Sequence, residues 1–149
     1  MRIGRKKSKQ TSVMKKVKRL CPELEREEII AAFEFNLDPD IPWEKRDGVV
    51  IADREKVKVF LDGELTECVE LCDVEEFKSD NGVGTVFMSY KKKSDASIRL
   101  LCIGDMSSSK AIIATVKRLN RIIERGIDYY DKMKSRSNLE DGGVGGRKI

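Results

Sequence analysis

Gly48-Val49-Val50-Ile51-Ala52-Asp53-Arg54-Glu55-Lys56-Val57-Lys58-Val59-Phe60-Leu61-Asp62-Gly63-Glu64 is the stretch on which the fold turns. Gly48 to Ala52 is an uninterrupted apolar run. Lys56 to Leu61 alternates instead, with Val57, Val59 and Leu61 on one face, which is the period of a strand. Asp53 and Arg54 fall at the hairpin tip between them, where a turn with a surface ion pair accounts for both. Asp62-Gly63 leads into a further strand, Glu64 to Leu71. Both central residues of a type I′ turn need φ > 0, which Asp-Gly supplies at little steric cost. The stretch therefore predicts two successive hairpins.

Working outward, Ile29 to Leu37 reads as the preceding strand, ended by Asp38-Pro39-Asp40. Pro39 and Pro42 keep the loop through Trp43 out of helix and sheet. In the strand Glu64 to Leu71, Leu65, Val69 and Leu71 share a face. Val74 to Ser79 is a fifth strand in which Val74 and Phe77 break the period of two, so it requires a bulge. Asn81-Gly82 marks a tight turn. Val83 to Tyr90 and Ala96 to Ile103 follow, joined by a loop from Lys91 to Asp95. In the last strand Ala96, Ile98, Leu100 and Cys102 face one way.

Helices are expected at both ends. Ser107 to Ser109 offer N-caps for a helix with Ile112, Val116, Leu119 and Ile123 on its inner stripe. Lys117, Arg118, Arg121, Glu124 and Arg125 fill its outer face. Gly126 is a C-cap or an interior glycine, and the helix runs on more loosely to Lys134. Upstream, Val13, Val17 and Leu20 give Ser12 to Leu20 an amphipathic helical spacing. Pro22 then opens a second short helix, Glu23 to Glu28. The domain reading is a basic extension over 1–28, a domain over 29–134 and a disordered Gly-rich tail over 135–149.

Composition bounds the function. The chain has 149 residues, enough for one domain with a core. It contains no histidine, which removes Ser-His and Cys-His nucleophile pairs, His-containing zinc sites and an imidazole base. Apolar runs are too short to span a bilayer. Cys21, Cys68, Cys72 and Cys102 form no CxxC pair, so buried free thiols in a reducing, cytoplasmic setting are expected. The net charge of +4 conceals +9 over residues 1–22, −12 over 23–90 and +7 over 91–149. An acidic body with basic ends argues against a uniformly basic nucleic-acid binder.

Seven short strands and a terminal helix define a β-rich α+β fold. The strands are expected to form a partly open barrel or two packed sheets, with the amphipathic helix plugging the open end. That order resembles the pleckstrin-homology-like (PH-like) fold. Three segments carry a resemblance to a family: Asn36-Leu37-Asp38-Pro39-Asp40, then Gly48-Val49-Val50-Ile51-Ala52-Asp53-Arg54, then Val59-Phe60-Leu61-Asp62-Gly63-Glu64. They resemble the N-terminal PH-like domain of bacterial ABC exporter (ATP-binding/permease) subunits, where a "DLDPDG"-like strand end precedes "GWLVVTDRRLYVF-DGE". The likeness runs from Ile29 to Gly126, and its motifs are structural. It implies a non-catalytic accessory or regulatory module, placed in the cytoplasm or at the cytoplasmic face of the membrane. The partners implied are transporter domains, a partner subunit or the membrane face. A full-length parent of that kind would be a transporter ATPase, but the cysteine-rich ribbon, membrane helices and nucleotide-binding domain of such exporters are missing from these residues. The GxxxxGK[ST] phosphate loop is missing too.

No catalytic set, metal site, cofactor or small-molecule substrate is expected. Asp38, Asp40 and Glu44 offer oxygen ligands to a hard cation, although turns favour Asp for backbone reasons. Trp43, in its Pro-bounded loop, suits either a partner contact or a cover for the barrel rim. Lys91, Lys92 and Lys93 suit phosphates, or simply a solvated hairpin tip. Lys15, Lys16, Lys18 and Arg19 suit an anionic membrane or a nucleic-acid backbone, or they fold back onto the acidic body. The rival reading is accordingly a stand-alone binder of anionic membrane or nucleic acid, acting through this N-terminal segment.

Overall fold

The computed structural model describes residues 12–38, 41, 44–133 and 135. Helix α1 covers 12–20, and a single 3₁₀ turn covers Arg26–Glu28. The strands are β1 Ile29–Leu37, β2 Lys45–Asp53, β3 Lys56–Leu61, β4 Glu64–Glu70, β5 Val74–Asn81, β6 Thr85–Lys92 and β7 Ile98–Asp105. Helix α2 follows at Ser109–Arg125, and α3 covers 127–133. Among the described residues no helix is long and apolar enough to cross a membrane.

All seven strands belong to one antiparallel sheet, in the order β4-β3-β2-β1-β7-β6-β5. It consists of two meanders, β1 to β4 and β5 to β7. They meet where Leu37 lies opposite Ile103. Of the two expected arrangements, a partly open barrel or two packed sheets, the strand pairing has the continuous single sheet that the first requires. Its two halves share one core. Ala31, Phe33 and Phe35 of β1, Val50 and Ala52 of β2, and Val57 and Val59 of β3 pack with Phe77, Met88 and Cys102 of the second meander. Ile112, Val116, Leu119 and Ile122 of α2 complete that cluster. The Tyr90 hydroxyl on β6 donates to Glu67 on β4 at 3.1 Å, tying one meander to the other through a side chain.

Local chemistry explains the turns. Asp62 has φ 52° and Gly63 φ 85°, so the Asp-Gly hairpin takes the primed turn its sequence favours. Gly48 lies opposite Phe35, whose ring would sit 2.3 Å from an added Cβ. Only glycine leaves the ring that place. The expected bulge in β5 is present, because Val74 faces Lys92 and Glu76 faces Lys91, leaving Glu75 unpaired.

Several boundaries and faces differ from expectation. Glu23 to Glu28 is not an α-helix but a turn followed by the 3₁₀ turn. Strand β2 begins at Lys45, earlier than Gly48. The turn after β5 occupies Gly82 to Gly84, with Gly84 at φ 69° and Val83 fully exposed, so β6 starts at Thr85 and extends through Lys92. Ala96, at φ 56°, is in the left-handed region and outside the pleat, which delays β7 to Ile98. A bulge at Thr66 places Leu65 opposite Phe60, on the other face from Val69. A second, at Leu101, turns Ile98 and Leu100 outward while Cys102 stays inside. The long C-terminal helix breaks at Gly126 (φ 93°), which is its C-cap. Of the expected tail over 135–149, all but Ser135 lies outside the described residues.

The outer face of β1 to β3 is covered as well. Val17 and Cys21 are buried against Val49, Ile51 and Phe60, with Val13, Met14, Leu20 and Ala32 packed around them. Val49 and Ile51 alternate with the inward Val50 and Ala52, so β2 is buried on both sides. The N-terminal segment therefore packs onto the sheet from helix α1 onward.

Candidate interaction surfaces

The loop after β1 begins with a buried carboxylate. Asp38 is 5 % exposed and meets the Arg46 guanidinium at 2.8 Å, while its other oxygen accepts from the Ile41 backbone N–H. Arg46 also reaches Glu44 at 3.0 Å and Asp62 at 2.5 Å. Asp62 in turn accepts from the Asp47 N–H, and that bond together with Arg46 holds its carboxyl below the usual range. Two of the three candidate cation ligands, Asp38 and Glu44, thus converge on an arginine. Asp40 and Trp43 lie outside the described residues. This network ties the β1–β2 loop to the Asp-Gly turn.

Asp53 is the first residue of a side-chain-stabilised turn, accepting from the N–H groups of Glu55 and Lys56 at 2.7 and 2.8 Å. Its neighbour Arg54 forms an ion pair that sequence proximity does not suggest. It pairs with Asp131 of α3, with Nη1 at 2.9 Å from Oδ1. The C-terminal helix is fixed to the β2–β3 hairpin in this way.

The expected basic hairpin tip is dispersed. Lys91 and Lys92 belong to β6 and are half-buried, so their side chains leave opposite faces of the strand, and Lys91 lies 4.0 Å from Glu75. Lys93 alone is exposed in the turn. On α1, Lys15, Lys18 and Arg19 are exposed, but Lys16 reaches back to Asp47 at 2.9 Å and Glu34 at 3.4 Å. Its hydrogen bond to Asp47 raises its pKa. Of the alternatives for this segment, the structure places Lys16 on the acidic body. A hollow of about 370 Å³, lined by Met14, Arg26, Glu27 and Ile29, remains between α1 and the 3₁₀ turn.

The cysteines divide two and two. Cys21 and Cys102 are buried, and burial pushes both thiols up. Cys68 and Cys72 are exposed, against the expectation of four buried thiols. Tyr90 is pushed up to about 12 by burial and by the Glu67 carboxylate. Among the described residues no three His, Cys, Asp or Glu side chains are placed to hold a metal ion together.

Helix α2 carries two further devices, of which sequence patterning announced only the second, its basic outer face. Asn120 of α2 accepts from the Phe77 N–H at 2.7 Å and donates to the Phe77 carbonyl at 2.9 Å, saturating the edge strand β5 at that residue. The exposed face of α2 is mostly cationic, with Lys110, Lys117, Arg118, Arg121 and Arg125 against the single acid Glu124. The +7 of residues 91–149 was the available signal for that face.

The geometry defines a β-rich α+β chain with one antiparallel sheet and basic helices against both of its faces. No family model, no curated protein and no solved structure matches it.

Proposed function

We propose that this chain is a non-catalytic PH-like module of the accessory or regulatory kind, resembling the N-terminal domain of ABC exporter subunits and acting by contact with a protein partner or a membrane face. The observation that carries the reading is the arrangement of its elements. Two antiparallel meanders enclose one core, and the amphipathic helix that follows the seventh strand packs across β5, β1 and β6 to close it. Polar groups in the loops support it too, because they act on structure: Arg46 gathers Asp38, Glu44 and Asp62, and Asp53 builds a turn. Fold carries function only by analogy, so the partner must be found by experiment. Cross-linking of the tagged chain in its own cells, followed by peptide mass spectrometry, tests this. The expected cross-links join surface lysines to a membrane transporter subunit. Reproducible turnover of a substrate by the purified chain, abolished by one substitution, would overturn the reading.

A further inference from the structure

We infer that the solvent face of α2 is a seat for an anionic lipid bilayer. This deepens the contact-module reading and rests on it. Met106, Lys110, Ile113, Lys117 and Arg121 are spaced four, three, four and four residues apart, which places them on one stripe of the helix and the 3₁₀ turn that leads into it. The stripe lies opposite the buried Ile112, Thr115, Val116, Leu119 and Ile122, and Glu124, three residues beyond Arg121, is the one exposed acid of α2. All five of its residues are exposed, Met106 at 54 % and Ile113 at 38 %.

Apolar company separates this row from the exposed cations of α1: Val13, Met14, Val17 and Leu20 pack on the sheet, whereas Met106 and Ile113 lie in solvent. Among the described residues, ion pairs engage Lys16, Arg46, Arg54, Lys58 and Lys91, which belong to α1 and the sheet. No carboxylate of the described residues lies within ion-pair distance of Lys110, Lys117 or Arg121. The outward cations of α2, like Lys15, Lys18 and Arg19 of α1, are therefore available to an external anion.

Shape and composition select the kind of anion. A helix of 17 residues is a convex rod about 25 Å long, and a rod fits a plane better than it fits a peptide or a single phosphate. Exposed apolar side chains between the cations suit the headgroup–acyl boundary, where lysine and arginine meet lipid phosphates and the apolar groups leave water. A nucleic-acid backbone would reward the cations but not Met106 and Ile113.

Co-sedimentation of the full chain with vesicles of phosphatidylcholine, with and without phosphatidylserine, provides the test. Binding is expected only to vesicles containing phosphatidylserine, and it should weaken as salt rises. Lys110→Glu/Lys117→Glu/Arg121→Glu should lower partitioning at least a hundredfold, since each basic residue near such a surface contributes about fivefold. Lys15→Glu/Lys18→Glu/Arg19→Glu on α1 should change it less than threefold. Should the first variant fail to fold by circular dichroism, the glutamine triple at the same positions replaces it, with a loss of at least thirtyfold expected. Met106→Ser/Ile113→Ser should weaken binding without changing its salt dependence. The inference is overturned if phosphatidylserine vesicles do not bind, if the α1 variant loses binding while the α2 variant keeps it, or if duplex DNA is preferred. Each of those results leaves the contact-module reading standing, whereas substrate turnover would remove that reading without altering vesicle binding.

Discussion

Helices α1 and α2 look alike as sequences, and the sheet treats them differently. Both are amphipathic, both are basic, and they pack against opposite faces of one sheet, α2 across β5, β1 and β6 and α1 over β2 and β3. Helix α2 inserts five buried residues into the core shared by both meanders. Helix α1 buries Val17 over a satellite cluster on the outer face of the first meander. Charge differs at one residue: Lys16 of α1 is held by Asp47 and Glu34, while Lys15, Lys18 and Arg19, like the outward cations of α2, have no ion pair among the described residues. An amphipathic pattern fixes which side of a helix is buried, and the neighbours available determine what its charges are for.

The largest expected effect tests whether that division is energetic. Leu119→Ala should lower global stability by about 3–4 kcal/mol in urea denaturation. Val17→Ala should cost about 2 kcal/mol and speed hydrogen exchange mainly in α1 and β2. Equal costs, with global opening in both, would make α1 as central as α2.

The core beneath α2 should also respond to alkali. Tyr90 has its pKa raised to about 12, so the folded state holds that proton more tightly than the unfolded state. Its contribution is complete below the ordinary tyrosine pKa near 10 and is lost as pH rises toward 12. The loss should be about 2 kcal/mol over that interval. Tyr90→Phe should flatten the decline in denaturation curves and remove the latest step from the ultraviolet phenolate titration.

A smaller effect is expected at Asn120. Asn120→Ala leaves the Phe77 N–H and carbonyl without their partner and should cost about 1–2 kcal/mol. It also bares part of the β5 edge, so sedimentation velocity should show association growing with concentration. A strictly monomeric variant would show that packing of α2, and not its amide, guards that edge.

The smallest effect belongs to α1. Lys16→Met should cost under about 1 kcal/mol, because the pair it forms is partly solvated. The raised pKa of Lys16 gives the direction: its contribution is full below the ordinary lysine value and disappears as pH climbs past the folded one. Salt should shrink the difference between variant and parent. A cost insensitive to salt would mean that the aliphatic stem, not the charge, attaches α1.

Much of this was legible before any coordinates. Periods of two and of 3.6, the Asp-Gly turn and the broken alternation at Val74 and Phe77 announced seven strands, a terminal helix and the β5 bulge. The faces of Leu65 and Leu100 were not legible, because bulges at Thr66 and Leu101 shift the alternation by one residue and nothing local marks them. The docking of α1 was legible in principle. Val49-Val50-Ile51-Ala52 is apolar without alternation, as a strand buried on both faces must be, so something had to cover its outer side. Arg54 with Asp131 and Arg46 with Asp38 depend on tertiary approach, which pattern reasoning does not reach. The basic row on α2 was visible as an outer face, but its lack of carboxylate partners required the positions of all the acids.

The meeting of Leu37 and Ile103 has a kinetic consequence. Every other strand pairing in the sheet joins neighbours in the chain, so each meander can zip from its own turns with little loop-closure entropy to overcome. Joining β1 to β7 is the long-range step, and it gains value only once α2 seals the core behind it. Folding should therefore proceed through two early hairpin runs and a late closure. Ile103→Val should then accelerate unfolding in a stopped-flow chevron and leave the refolding limb almost unmoved.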